Sequence, residues 1–123
     1  MITVIVDRDK ATRKIIAIYM SGHSDFGEEG NDIICAGAST LCYTAANALN
    51  DICGYDDEKV LRVTDEGMES VNVRITVPDE GDEDTRNRAQ VIMRTIEVGL
   101  MNLAMSVNEE GKNCIEIIHS KED

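Results

Sequence analysis

Lys14-Ile15-Ile16-Ala17-Ile18-Tyr19-Met20, then Ser21-Gly22-His23-Ser24-Asp25-Phe26-Gly27-Glu28-Glu29-Gly30-Asn31, then Asp32-Ile33-Ile34-Cys35-Ala36-Gly37-Ala38-Ser39, is the stretch in which the chain changes period. The first part is short, rich in isoleucine and bounded by polar residues, which suits a strand. The middle part carries Gly22, Gly27 and Gly30 and reads as a loop from Ser21 to Asn31. The last part opens a helix from about Ile33 to Cys53, because Ile34, Ala38, Leu41, Ala45, Leu49 and Ile52 recur at helical spacing. Asp32 stands where a capping carboxylate would accept amides of the first turn, and Gly54 where a helix commonly ends.

Working outward, Ile2, Val4 and Val6 alternate with their neighbours and form a strand, the hairpin partner of 14–20 across a polar turn. Lys59 to Thr64 and Ser70 to Val77 read as two further strands joined by the turn at 65–69. The acidic connection 79–84 leads into a second helix from about Asp84 to Val107, whose early carboxylates suit a helix N-terminus. Ala89, Ile92, Met93, Ile96, Leu100, Leu103 and Val107 form its main apolar stripe. Val91, Val98, Met101 and Met105 lie off that stripe. Two readings are open for this second patch: burial on both sides within the domain, or an interface between two copies. Residues 113–119 close the chain as a strand. The order β-β-α-β-β-α-β predicts an α+β fold, one mixed sheet with two main helices packed on it, as a single domain over residues 1–123.

Composition narrows the function. A length of 123 residues with 42% apolar content and one proline is that of one globular domain. No Trp, one Phe and three Tyr mean an aliphatic core. Twelve basic against 24 acidic residues give a net charge of −12, which repels phosphate backbones and attracts basic proteins. Direct nucleic-acid binding is therefore not expected. No stretch reaches the ~20 apolar residues of a membrane helix, and the start Met1-Ile2-Thr3-Val4 lacks the pattern of a signal peptide. The expectation is a cytoplasmic protein with Cys35, Cys42, Cys53 and Cys114 reduced. No metal-ligand spacing, phosphate-binding glycine motif or serine elbow is present, and no cofactor is expected.

The chemistry-bearing residues lie in 22–39. His23 ends a strand, Cys35 opens the next helix, and a glycine-containing loop between them allows the two side chains to meet. With Asp32 as cap, Cys35 is the third helical residue. There the helix dipole and free amides would lower a thiol pKa, as would an imidazolium at His23. Amides near Cys35 and Ala36 would suit an oxyanion. Ser39 is one turn after Cys35 on the same face, placed to bond near the site or back to a helix carbonyl. Asp32 is placed to orient His23, but its cap position already accounts for it. Cys42 is two turns beyond Cys35, too far for a resolving thiol within a straight helix. Cys53, Cys114 and His119 read as structural. A reduced core thiol in an acidic binding protein, or a redox-sensing thiol, are the rival readings of Cys35.

The segment Gly22-His23, a loop with Gly27 and Gly30, Asp32-Ile33-Ile34-Cys35-Ala36 and Ser39 resembles the motif of the ribosomal-processing cysteine protease family called Prp. The likeness covers most of the chain, including the order of elements. Ser24 departs from the alanine that the family often has after its histidine. The resemblance implies a dyad of Cys35 and His23 and a homodimer. It also implies removal of an N-terminal extension from the large-subunit ribosomal protein L-twenty-seven. A substrate-gating loop is implied too, here with Gly22, Ser24, Asp25, Phe26, Gly27 and Gly30. The acidic Asp25, Glu28 and Glu29 agree with a basic substrate.

Overall fold

The computed structural model describes residues 1–23, 31–65, 70–108 and 114–120. The elements run β1 (Ile2–Arg8), β2 (Ile15–His23), α1 (Asn31–Asp51), α2 (Asp57–Val60), β3 (Leu61–Asp65), β4 (Ser70–Thr76), α3 (Glu83–Val107) and β5 (Ile115–His119). The expected order is present, with the short α2 added ahead of β3. The strands form one sheet in the order β3-β4-β2-β1-β5. β1, β2, β4 and β3 pair antiparallel, whereas β5 joins β1 in parallel, so the sheet is mixed.

The hairpin β1–β2 is turned by Asp9, whose Oδ1 accepts the amides of Ala11 and Thr12, each at 2.9 Å. Arg13 takes φ 64° there, the left-handed conformation such a tight return requires. Alternation along β1 sorts the faces. Ile2, Val4 and Val6 are buried under the helices, while Thr3 and Ile5 are not. Their register partners Met20 and Ile18 on β2, then Val73 and Ile75 on β4, continue the buried face.

The helical layer covers that face. Ala38, Cys42, Ala45, Ala46 and Leu49 of α1 and Ala89, Met93, Ile96 and Leu100 of α3 complete one core with the strands. The small residues allow the helices to approach closely: Leu41 of α1 lies 3.0 Å from where a Cβ on Gly99 of α3 would stand. The core is aliphatic as expected, with Tyr55 its one buried aromatic among the described residues.

Several boundaries differ from the pattern, among them the start of β3, which is Leu61 rather than Lys59 because Asp57–Val60 is the helical turn α2. Helix α1 begins at Asn31, not near Ile33, so Asp32 lies in its first turn and is not its cap. A carboxylate is favoured there too, by the positive end of the helix. Ile52 is 51% exposed and past the last helical residue, because Gly54 at φ 77° donates to Asn50 O (2.9 Å) and turns the chain away. Finally, Ser21 and Gly22 belong to the strand and not to the loop: Ile2 and Val71 pair with Gly22 on either side, and β2 ends at His23, as expected, opposite Ser70.

Helix α3 starts one residue before the expected Asp84, capped by Asp82, whose Oδ1 accepts Thr85 N at 2.8 Å. The patch off its main stripe is exposed: Val91 66%, Val98 41%, Met101 39% and Met105 79%. The domain does not bury this helix on two sides. Among the described residues one charged side chain is drawn into the core, that of Glu97. Arg8 of β1 grips it with both guanidinium nitrogens at 2.7 and 2.6 Å, and His119 of β5 approaches at 3.2 Å.

Candidate active site

The site is built from the end of β2 and the start of α1. Cys42 Sγ lies 3.9 Å from Met20 Sδ, which fixes α1 over β2 at that level. Cys35 is seven residues earlier on the helix, about 10 Å away at 1.5 Å per residue. His23 is three residues later on the strand, about 10 Å away at 3.3 Å per residue. On the strand, Gly22 pairs with Ile2 and with Val71, and His23 with Ser70.

Gly22 has a reason to be glycine. A Cβ there would stand 3.1 Å from Ile2 Cγ1, 3.2 Å from Ile2 Cα and 3.3 Å from Met1 O. Two of those atoms are backbone, so the clash is not relieved by a side-chain rotation. The β1 start thus sits close beneath the strand end that carries His23. Gly22 was read with the loop; it belongs to this paired strand end.

Cys35 is partly buried and packs against the core. It is the fifth helical residue, two places deeper than expected, because α1 starts at Asn31. That moves the oxyanion reading as well. In a helix begun at Asn31, the amides of Cys35 and Ala36 bond back to the carbonyls four residues earlier. The amides left over by the helix ladder belong to its first residues, 31–33. Ala36 is exposed, and its carbonyl also accepts Thr40 Oγ1 at 2.7 Å. Ser39 is partly buried one turn past Cys35. Gly37 faces Leu103 of α3 at an ordinary contact distance of 3.4 Å, so here small size is a convenience of packing. Ser24, Asp25, Phe26, Gly27 and Gly30 lie outside the described residues.

Of the four thiols, Cys42 is the buried one. Burial pushes the Cys42 thiol up to about 11, so it stays protonated at neutral pH. Burial also raises Cys53, against a smaller opposing effect of Arg88. Among the described residues no group of His, Cys, Asp and Glu is arranged to hold a metal ion. No helix among them is long and apolar enough to cross a membrane. The cluster that pattern reading missed is Arg8, Arg94, Glu97 and His119. Nothing in the spacing of four residues on three elements marks it; an acidic residue beside the α3 stripe, at Glu97, was the one available signal.

Comparison with known proteins agrees with this architecture. Residues 1–112 match the family model of the cysteine protease Prp. The ribosomal processing cysteine protease Prp of Staphylococcus aureus (strain Mu50) is 36% identical over 96 residues, 78% of this chain and 82% of that protein. The protein of the same name from Bacillus subtilis (strain 168) is 28% identical over 86 residues, 70% and 72% of the two chains. A crystal structure of the S. aureus protease with a substrate peptide superposes with a TM-score of 0.67 at 25% identity, covering 98% of this chain and all of that one. Another, with a covalently linked product peptide, gives 0.64 at 30% identity with the same coverage.

Proposed function

The chain belongs to the cysteine protease Prp family, and from that premise we propose that it removes the N-terminal extension of the ribosomal protein L-twenty-seven precursor, with Cys35 as nucleophile and His23 as its proton partner. The observation that carries the proposal is the motif Gly22-His23 … Asp32-Ile33-Ile34-Cys35-Ala36, whose histidine is the last residue of β2 and whose cysteine lies in the first turns of α1.

The steps follow from those groups. His23 takes the proton of the Cys35 thiol, and the thiolate attacks the scissile carbonyl carbon, forming a C–S bond. The negative charge moves to the carbonyl oxygen, where the unused first-turn amides of α1 and its positive end favour it. Collapse breaks the C–N bond, and the imidazolium gives its proton to the leaving amine. Water, deprotonated by His23, then hydrolyses the thioester and frees the carboxylate product and the thiol. The mechanism uses a thiol and an imidazole and calls for no cofactor.

Charge supports a basic substrate. At −12 the domain attracts a cationic ribosomal protein over a distance set by the ionic strength, a Debye length of about 8 Å at physiological salt. The ribosomal processing named for the relatives agrees with this, and with action in the cytoplasm. The uncovered α3 patch of Val91, Val98, Met101 and Met105 supports a homodimer.

Mass spectrometry of an N-terminally extended precursor incubated with the protein tests the proposal, beside Cys35→Ala and His23→Ala. One cut by the wild type, lost by more than about 10³-fold in either variant, is the expected result. Retention of uncut precursor by all three proteins would instead mean a binding module. A cut that survives His23→Ala would remove the dyad.

A further inference from the structure

The helices cover one face of the sheet; on the other, Ile5, Arg62, Arg74 and Ile118 are exposed among the described residues. Register places one row of side chains straight across it: Arg62 opposite Arg74, Arg74 opposite Tyr19, Tyr19 opposite Ile5, and Ile5 beside Ile118. Two guanidiniums directly opposite each other repel and destabilise a strand pair. They stand so in a protein with twice as many acidic as basic residues. Elsewhere Arg8, Lys59, Arg86, Arg88 and Arg94 each sit on a carboxylate. Among the described residues, Arg62 and Arg74 have none.

Arg74 is nonetheless held in place. Its guanidinium carbon lies 4.9 Å from the centre of the Tyr19 ring, and its Nε donates to Thr76 Oγ1 at 3.1 Å. Arg62, Arg74, Tyr19, Ile5, Ser21 and Asn72 line a groove of about 300 Å³. Beyond the two cations the row turns apolar, with Ile5 37% and Ile118 40% exposed. The whole row spans four strand spacings, roughly 19 Å.

We propose that this face is a docking site for a short acidic–apolar peptide segment of a partner protein, its carboxylates on Arg62 and Arg74 and its apolar side chains along Tyr19, Ile5 and Ile118. A bound carboxylate removes the repulsion between the two arginines, and a planar carboxylate matches the fork of a guanidinium. A polyanion fits less well. Only two cations are offered on this row, Glu116 is the register partner of Thr3 one row away, and Asp7 faces the same side on β1. The site is on the sheet face opposite the helix that carries Cys35, so it stands whether or not the proposed cleavage does.

The test is an amide NMR titration of the intact protein with a blocked peptide of two glutamates followed by three leucines. Saturable shifts confined to β1, β2, β4 and β3 are expected. Affinity should fall at least tenfold for a peptide with glutamines in place of the glutamates, and equally in Arg62→Ala/Arg74→Ala. The single variant Arg62→Ala should also unfold at higher urea than the wild type, because the repulsion is gone; this readout needs no ligand. The proposal is overturned by absence of saturable shifts, by shifts centred on the helices, or by undiminished binding in the double variant. A short single-stranded RNA binding the same face at least as tightly would overturn the peptide assignment.

Discussion

Glu97 is the single residue whose replacement should cost the fold most for the least change in shape. It is 1% exposed, and its chief partner Arg8 is 15% exposed. The carboxylate binds both terminal nitrogens of Arg8, at 2.7 and 2.6 Å. Arg94 and His119 reach it from the surface, each about half exposed. In Glu97→Gln the volume is kept, but the nearly buried guanidinium loses its counter-charge and one acceptor. Breaking a buried pair from one side costs about 3–5 kcal/mol. Arg8 keeps some contact with water, which puts the cost near the lower figure, and the exposed partners add at most about 1 kcal/mol. With a urea m-value of roughly 1–3 kcal/mol/M, the unfolding midpoint should fall by roughly 1–3 M. Arg8→Met/Glu97→Leu should recover most of the loss, since replacing both partners by apolar groups is often near neutral. The pH profile follows from the sign of the shift. Burial pushes the Glu97 carboxyl up, but hydrogen bonds from Arg8 and Arg94 and their charges outweigh it and hold it below its usual value. The folded state therefore prefers the ionised form. The stability it contributes is complete above the unfolded carboxylate value and is lost as pH falls through the lower, folded one. Urea melts at pH 7 and at pH 3–4, followed by far-UV circular dichroism, measure both effects. A midpoint change under about 0.5 M at pH 7, or a double variant as weak as the single one, would falsify this account of the buried pair.

Gly22→Ala and Gly37→Ala make a matched contrast. The first meets backbone of Met1 and Ile2 at 3.2–3.3 Å and should cost about 1–3 kcal/mol. The second meets only Leu103 at 3.4 Å and, lying in a helix, should be neutral or stabilising by about 0.5–1 kcal/mol, as thermal melts would show. Iodoacetamide at pH 7.5, read by peptide mass mapping, should alkylate Cys35 at least about tenfold faster than Cys42, whose thiol burial holds near 11; equal rates would count against a reactive Cys35. Val98→Glu/Met105→Glu should shift the protein to monomer in sedimentation velocity without loss of helicity, since both side chains are exposed within one chain.

Much of the fold was legible because its signals are local. Strand alternation at 2–6, the apolar stripe of α3 and the capping carboxylates before it depend on neighbours a few residues away. The site motif was legible for the same reason, as a contiguous segment from Gly22 to Ser39. What the sequence could not decide is what depends on partners far along the chain. The pairing of the β2 end needs Ile2 on one side of Gly22 and Val71 and Ser70 on the other side of Gly22 and His23. The start of α1 at Asn31 lies inside a run of polar residues with no apolar period to mark it, and that shift moves Cys35 two places deeper and the unused amides away from Ala36. The pairing of Arg8 with Glu97, 89 residues apart, and the facing of Arg62 by Arg74 exist only once the register is set. Sequence alone thus determined the five strands and two long helices, though not the short α2, and which side chains are candidates for chemistry. Tertiary structure decided which of them meet, because strand register and buried charge are settled by the whole sheet and its covering helices at once.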